Sequence, residues 1–198
     1  MNGEDFINIF EADEELANGN DVKIKKVIPL IEANQEIDGT PVLFIVADGE
    51  NTLEYLIKNH PLLLEKKDIN GWTLLHAATA GFSDICFDKI LNLFKNPKKL
   101  NIKDNDGFDP LSIAAKFGNI EKLQKLIIHG STISTTPLET SPLYQAIINV
   151  NGEDVAIYCL QILSNAIKKI SPEEKQSLIE ASQKLKMAKL ESWIKGTL

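Results

Sequence analysis

Apolar residues recur every three or four positions along most of the chain, which is the spacing of amphipathic helices. The clearest stripe comprises Ile120, Leu123, Leu126 and Ile127. Near the C-terminus, Ser171-Pro172-Glu173-Glu174 predicts a helix start, because acidic residues favour the first turn of a helix. The apolar face that follows predicts a final helix pair and comprises Leu178, Ile179, Leu185, Leu190 and Ile194.

The N-terminal part of the chain predicts another helix pair, within residues 4–33, which turns at Gly19-Asn20-Asp21. Its outer face is expected to be acidic, with Glu11, Asp13, Glu14 and Glu15. Pro29 falls inside the second of these helices and is expected to kink or shorten it. No segment has a pattern that predicts a parallel sheet.

Between these ends, four segments repeat one pattern: a Thr-like residue, a proline or apolar residue, another apolar residue and a helix of small residues. They begin at Thr40, Thr73, Asp109 and Ser141, at steps of 33, 36 and 32 residues. Thr, Asp and Ser are good helix N-caps, because their side-chain oxygens accept bonds from free N–H groups. Pro110 and Pro142 follow at the first helical turn, where a missing N–H costs little. Gly118 is expected to end the helix that begins after Asp109, which we call the first helix of its segment, since glycine tolerates a positive φ.

These segments resemble the ankyrin repeat, whose signature is Thr-Pro-Leu-His followed by Ala-Ala and Gly at a period of about 33 residues. The best matches are Thr73-Leu74-Leu75-His76 with Ala77-Ala78, and Asp109-Pro110-Leu111-Ser112 with Ala114-Ala115. Thr40-Pro41-Val42-Leu43 and Ser141-Pro142-Leu143-Tyr144 are looser versions. The resemblance covers residues 35–165. It implies an all-α ankyrin-repeat solenoid of stacked helix-turn-helix units with helical N- and C-terminal caps.

The resemblance also implies how the chain is divided. We expect one ankyrin-repeat domain over residues 1–198, with an N-terminal cap (1–34), four repeats (35–67, 68–103, 104–135 and 136–170) and a C-terminal cap (171–198). Gly71 and Gly107 are expected at the turns of finger-like hairpins that precede two of the first helices. Two segments depart from the family pattern: Phe94–Leu100 is an extra basic bulge, and Ser131–Ser141 lacks the usual finger glycine, so we expect its turn to be irregular.

Composition narrows the classes of function. The chain has 28 acidic residues and 21 basic ones, all of them Lys, and its formal net charge is −7. An acidic chain without Arg is a poor nucleic-acid binder, because Arg is the usual reader of phosphates and guanine edges. The longest apolar run, Pro41–Ala47, is far shorter than the ~18 to 20 residues of a membrane span. We therefore expect neither a nucleic-acid partner nor a membrane span, and we expect a monomer.

The location of the protein is predicted from weaker signals. The N-terminus has no basic stretch followed by an apolar core, and Cys86 and Cys159 are expected to be reduced, buried thiols. These features favour a cytoplasmic protein. By resemblance to ankyrin proteins of intracellular bacteria, a Lys-, Ile- and Asn-rich chain of this kind would act as an effector in the host cytoplasm.

The titratable residues do not form a recognisable catalytic or metal-binding pattern. His76 occupies the motif position whose role in the family is to hold the turn by hydrogen bonds, and His60 and His129 stand near helix ends. No spacing places a histidine beside a nucleophile and an orienting group, and no Gly-rich phosphate loop occurs. We expect no catalytic residues, no metal and no cofactor, and hence no enzyme.

The resemblance assigns the candidate binding residues, because ankyrin proteins bind partners with finger tips and first helices that form a concave surface. In this chain they are Ile69, Asn70, Trp72, Asn105, Asp106, Phe108, Lys116 and Phe117, with Leu138, Thr140 and Asn149 in the following repeat. Large aromatic side chains are typical of binding hot spots. The alternative is that Trp72 and Phe108 pack on each other between adjacent fingers. The basic bulge is either a contact for an acidic partner or a solvated loop.

The expected function is that of an adaptor or inhibitor that binds a folded protein partner. One alternative is an enzyme with its active site in the caps, which would require a deep pocket with perturbed titratable groups. Another is the targeting module of a longer enzyme.

Overall fold

The helices follow one another as short antiparallel pairs separated by turns. The computed structural model describes residues 2–94, 96–135, 137–148, 152–166 and 170–198, and of Ala166 it describes only the backbone. The chain forms two compact units, residues 1–90 and 91–198. The division of the chain into one domain with two caps and four repeats stays a prediction.

The first unit begins with two longer helices and continues with shorter ones. Its helices are α1 (Gly3–Ala17), α2 (Val22–Glu32), α3 (Val42–Val46), α4 (Glu50–Asn59), α5 (Leu74–Gly81) and most of α6 (Asp84–Leu93), with a 3-10 turn over Pro61–Glu65. Helix α1 packs against α2, α3 and α4. The fully buried residues here include Ala12, Ile24, Val27, Leu53, Leu56, Leu74 and Leu75. Helix α2 runs through Pro29 and ends one turn later.

A hairpin precedes α3 and differs from the prediction for Thr40. The strands β1 (Glu36–Ile37) and β2 (Thr40–Pro41) pair in antiparallel register, with Ile37 opposite Thr40. The two turn residues, Asp38 and Gly39, have φ values of 49° and 78°. Positive φ at both positions is the requirement of a type I′ turn, for which Asp-Gly is a favoured sequence. Thr40 therefore lies in a strand, and α3 begins after Pro41, so the prediction of an N-cap at Thr40 was wrong.

The acidic outer face predicted for the N-terminal pair needs one correction. Glu11 and Glu14 are exposed, Glu15 is half-buried, and so is Asp13. Its Oδ1 accepts a hydrogen bond from the Thr52 backbone N–H at 2.8 Å, and its Oδ2 accepts one from the Asn51 side chain at 3.2 Å. Asp13 thus faces α4, while the exposed face of α1 includes the apolar residues Phe6, Ile7 and Phe10.

The second unit contains the remaining helices. They are α7 (Pro97–Leu100), α8 (Pro110–Lys116), α9 (Ile120–Ile128), α10 (Pro142–Ile148), α11 (Glu153–Ala166), α12 (Pro172–Lys184) and α13 (Ala188–Thr197), with a 3-10 turn over Leu138–Thr140. Helix α10 packs against α8, α11 and α12, and α13 packs against α11 and α12. The buried residues include Leu111, Ala114, Ala115, Leu123, Leu126, Leu143, Ala146, Leu160, Leu163, Leu178 and Ile194.

The first helices start where the motif predicts in three of the four segments. Thr73 and Asp109 are N-caps, and the Ser141 hydroxyl accepts a hydrogen bond from the Tyr144 backbone N–H. Helix α8 ends as expected, with Gly118 at a φ of 64°. Ser171 and Glu174 form a capping box at the start of α12. Leu185, by contrast, is not part of the terminal apolar face, because it ends α12 and is exposed.

The two departures from the family pattern are only partly described. Residues 97–100 of the basic bulge form the short helix α7, and Leu100 within it and Phe94 before it are buried, so this segment is not simply a solvated loop. Lys95 lies outside the described residues, as does Asn149. Residues 131–135 have no regular structure, which agrees with the irregular turn predicted there. In the described residues the only strands are the antiparallel β1 and β2.

Candidate functional site

The turn that carries Trp72 is held by one aspartate, and we call residues 68–72 the Trp72 finger. The Asp68 carboxylate accepts hydrogen bonds from the backbone N–H groups of Asn70 at 2.9 Å and Trp72 at 2.6 Å. The backbone closes the same turn, because the Asp68 N–H donates to the Trp72 carbonyl at 3.0 Å. Gly71 has a φ of 82°, a conformation that side chains with a Cβ rarely adopt. The turn is therefore fixed by bonds within five residues.

The turn that carries Phe108 is built in the same way, and we call residues 104–108 the Phe108 finger. The Asp104 carboxylate accepts bonds from the N–H groups of Asp106 at 3.0 Å and Phe108 at 2.8 Å. Gly107 has a φ of 92° and lies against the Thr140 side chain. The two fingers thus share one construction, 36 residues apart, and each ends in an aromatic residue directly before a helix cap.

The helix that follows the Trp72 finger is held by a capping box. The Thr73 backbone N–H donates to His76 Nδ1 at 3.1 Å, and the Thr73 hydroxyl lies 2.8 Å from the same nitrogen. His76 is fully buried, and its imidazole stacks with the Trp72 indole at 6.1 Å between ring centres and 28° between planes. The histidine therefore has the structural role that the motif predicts, and it also orients the indole of Trp72.

No family model and no curated protein sequence matches the chain. Its fold does match solved structures, among them a crystal structure of an ankyrin repeat domain from Acinetobacter baumannii AYE. That match has a TM-score of 0.68 at 17% sequence identity and covers 96% of this chain and 96% of the other. The chain has the ankyrin-repeat fold. The predicted fold class is thereby confirmed, while the low identity carries no information about partners.

The ankyrin finger at Trp72 exposes the three predicted residues to different degrees. Ile69 is 78% exposed at the tip, and Asn70 beside it is also exposed. Trp72 is half-buried. Ile69 also lines a small cavity of about 260 Å³, whose floor includes Ile31, Leu43 and Phe44. Ile69 thus presents apolar surface to solvent at the tip of a fixed turn.

The predicted residues of the following repeat form a second group within the other unit. Asn105 and Asp106 are exposed at the tip of the Phe108 finger. Phe108 is half-buried, and the Lys116 ammonium lies over its ring at 5.1 Å from the ring centre, within the range of a cation–π contact. Phe117, which ends α8, is 56% exposed. Leu138 and Thr140, predicted in the next repeat, are half-buried.

A cleft lies beside the Trp72 finger, entirely within the first unit, and we call it the Trp72 cleft. It has a volume of about 610 Å³. Residues of the hairpin turn, β2, α3, α5 and the Trp72 finger line it, and we call its buried and half-buried apolar residues Phe44, Ile45, Ala77 and Phe82 the floor. Its lining residues are Gly39, Thr40, Pro41, Phe44, Ile45, Asp48, Asp68, Asn70, Trp72, Ala77, Ala80, Gly81 and Phe82.

Neither cysteine is among the described residues that line the Trp72 cleft. Both are free and buried. Burial raises the pKa of the Cys86 thiol, whose Sγ is 3.3 Å from the Asp48 carbonyl, and it raises the pKa of Cys159 to about 11. A thiol with a raised pKa is a poor nucleophile at neutral pH, because the thiolate is the reactive form.

Among the described residues, no helix is long and apolar enough to cross a membrane. Within the same part of the chain, no cluster of three or more His, Cys, Asp or Glu residues could hold a metal ion.

Sequence reasoning missed three aspartates that organise the site. Asp68 and Asp104 hold the fingers, and Asp38 starts the turn that borders the Trp72 cleft. A signal for the first two was present, because each stands five residues before a first-helix cap and is followed by Asn or Asp and then Gly. For the third, the Asp-Gly pair between two short β-prone segments is a known hairpin signal.

Proposed function

We propose that this protein binds a folded protein partner through its fingers and first helices, and acts as an adaptor or inhibitor without chemistry of its own. The observation that carries the proposal is the presentation of exposed apolar side chains by an ankyrin-repeat fold, Ile69 at the tip of a fixed turn and Phe117 at the end of α8. A fixed turn loses little conformational entropy when a partner covers it, so more of the burial free energy is available for binding.

The fingers combine large aromatic side chains with a fixed backbone, two features that favour a binding hot spot. Their backbones are pinned by the Asp68 and Asp104 carboxylates, and their aromatic rings are oriented by neighbours, Trp72 by His76 and Phe108 by Lys116. Fully burying one large apolar side chain is worth roughly 1.5 to 3 kcal/mol. We propose each finger as a contact for the partner, with Ile69, Asn70 and Trp72 in one group and Asn105, Asp106, Phe108, Lys116 and Phe117 in the other.

The alternative of an active site in the caps has less support. Neither proposed cap contains a histidine or a cysteine, because the three histidines and two cysteines all fall between His60 and Cys159. Charged residues in the caps form surface ion pairs instead, such as Lys26 with Glu4 at 2.5 Å and Lys195 with Glu191 at 2.5 Å. Location in the cytoplasm, or in a host cytoplasm, and a monomeric state remain part of the proposal.

The test compares partner binding by the wild-type protein with that by the triple variant Trp72→Ala, Phe108→Ala, Phe117→Ala. Immobilised wild-type protein retains the partner from lysates of the source and of candidate hosts, mass spectrometry identifies it, and calorimetry with the purified partner gives the affinity. Loss of one hot-spot aromatic typically costs about 2 kcal/mol, so we expect the triple variant to bind at least about thirtyfold more weakly.

The matched control removes three large exposed side chains away from the fingers. Leu62→Ala, Ile128→Ala, Tyr158→Ala serves this purpose, since all three residues are exposed on other segments. Circular dichroism melting establishes that both variants keep the fold. Equal affinity of the wild-type protein and the finger variant would refute the assignment of the fingers, and loss of binding in the control alone would move the site to those segments.

A further inference from the structure

The Trp72 cleft combines an apolar floor with acidic groups and an aromatic wall. Among the described residues that line it, the charged ones are Asp48 and Asp68, and none is basic. We propose that the partner inserts a lysine or arginine side chain into the Trp72 cleft, an inference that rests on the proposed function and specifies its partner. The occupant is thus a basic segment on the surface of a protein.

The floor of the cleft suits the aliphatic part of such a side chain. Phe44 and Ala77 are buried, and Ile45 and Phe82 are half-buried, so their exposed edges form an apolar surface. The methylene stems of Lys and Arg bury readily against surfaces of this kind while the charged group remains near polar atoms. A volume of about 610 Å³ is in the range of clefts that accept small ligands.

The rim of the cleft suits the cationic group. The indole of Trp72 is the best aromatic partner for a cation, and its stacking on His76 fixes its plane before any ligand arrives. Asp48 Oδ1 accepts a bond from the Ser83 N–H at 2.9 Å, and Asp68 Oδ1 accepts bonds from the N–H groups of the finger. Both carboxylates are therefore held in place by backbone N–H donors, which carry no formal charge.

The charge of the whole first unit favours the same occupant. Residues 1–90 contain seventeen acids and seven lysines, a net charge of −10, whereas residues 91–198 contain eleven acids and fourteen lysines, a net charge of +3. A strongly negative unit attracts a basic segment over a longer range than the cleft alone, and this steering weakens as salt is added. Charge complementarity thus favours a basic partner over an acidic or purely apolar one.

The experiment measures the binding of short peptides that differ at one position. The reference peptide has a central lysine between two leucines. Three comparison peptides have arginine, norleucine or glutamine at that position, and norleucine keeps the aliphatic stem of lysine without its charge. Heteronuclear NMR follows the backbone amides of Asn70 and Trp72 and the Trp72 indole. We expect the lysine and arginine peptides to shift these signals with a Kd about tenfold lower than that of the norleucine peptide.

Two double variants test whether the preference for the lysine peptide over the norleucine peptide arises in the Trp72 cleft. Asp48→Asn with Asp68→Asn keeps an oxygen for every backbone donor but removes both charges, and we expect it to abolish the preference for lysine over norleucine. Glu14→Gln with Asp84→Asn removes the same net charge from exposed sites of the same unit that do not line the cleft. This control should keep the preference, with a small uniform loss of affinity at low salt.

Several results would overturn the proposal: equal binding of the lysine and norleucine peptides, shifts that map away from Asn70 and Trp72, or no shift at millimolar peptide. Equal losses in the two double variants would overturn it as well, because they would show attraction to net charge alone. These failures are distinguishable from failure of the proposed function. If the triple finger variant loses its partner while the peptides show no charge preference, the fingers bind a partner but the cleft does not select a cation.

Discussion

Asp13 supplies a helix cap from outside the helix that it caps, and its removal gives a sharp test of the packing between α1 and α4. The N-cap residue of α4 is Gly49, which has no side chain to accept a bond from the free N–H groups of the first turn. Asp13 Oδ1 lies 2.8 Å from the N–H of Thr52, the third residue of the helix, which is the group that an N-cap side chain normally satisfies. The perturbation is Asp13→Ala.

The expected loss of stability depends on whether the N–H of Thr52 finds another hydrogen-bond acceptor in the Asp13→Ala variant. Thr52 is fully buried, so water does not replace the carboxylate easily. Loss of an N-cap side chain costs about 0.5 to 2 kcal/mol, and loss of a hydrogen bond to a charged group costs about 1.5 to 3 kcal/mol. We therefore expect Asp13→Ala to lower the free energy of unfolding by about 1 to 3 kcal/mol. Asp13→Asn keeps an acceptor and should lose less than half of that.

The assay is urea unfolding followed by far-UV circular dichroism. The control is Glu14→Ala, which removes the neighbouring acid from the exposed face of the same helix and should change stability by less than about 0.5 kcal/mol. Gly49→Ala tests the same contact from the other side, because a Cβ at residue 49 would lie 2.5 Å from Asp13 Oδ1 and displace the carboxylate. Equal stability of Asp13→Ala and Glu14→Ala would show that Asp13 does not cap α4.

Two further predictions concern the second unit. Leu126→Ala removes a fully buried side chain and should lower the free energy of unfolding by roughly 2 to 5 kcal/mol, measured by thermal or urea unfolding. Ile128→Ala, at an exposed site two residues later, should lower it by less than about 0.5 kcal/mol. An unchanged melting temperature for Leu126→Ala would contradict the register of α9. Burial raises the pKa of Asp109 above its ordinary value of 3.8, against hydrogen bonds from Ser112 that lower it, so the native state binds the proton more tightly than the unfolded state. Stability from this group is present below pH 3.8 and is lost as pH rises through the folded pKa. Asp109→Asn keeps the cap without the charge and should be the more stable protein at pH 7, with the difference shrinking toward pH 3.8; a difference that does not change with pH would refute this reasoning.

The sequence predicted the fold best where local chemistry and the repeat agree. Around Thr73 and Asp109 the cap residue, the small residues after it and the preceding Gly all favour the same turn and helix, so each local feature supports the others. At Thr40 the local signals conflict. A Thr-Pro pair predicts a helix start, but the Asp-Gly turn two residues earlier draws Thr40 into strand pairing, and tertiary context decides the outcome.

The candidate site could be predicted only in part, because exposure depends on neighbours that the sequence does not specify. The finger positions follow from the motif, and Ile69 and Phe117 are exposed as such positions would be. Trp72, however, is half-buried against His76, and Phe108 lies under Lys116, contacts that no spacing rule gives. The acidic lining of the Trp72 cleft was likewise not predictable, since Asp48 and Asp68 are 20 residues apart in sequence and only the fold places both of them in the same cleft.

Some helices are capped by a carboxylate from an earlier segment of the chain, which gives one physical reason why the repeated segments differ in sequence at these helix starts. Asp48 accepts from the N–H of Ser83, at the start of α6, and Glu153 accepts from the N–H of Lys189, at the start of α13, as Asp13 does at α4. In each case a carboxylate from an earlier segment of the chain (α1, the turn after α3, or α11) accepts a bond from a donor at a helix start, so the bond joins two segments as well as capping the helix. Such a bond requires an acid at the right place in the earlier segment and no particular residue at the helix start itself. The residue at each of these helix starts is therefore free to vary.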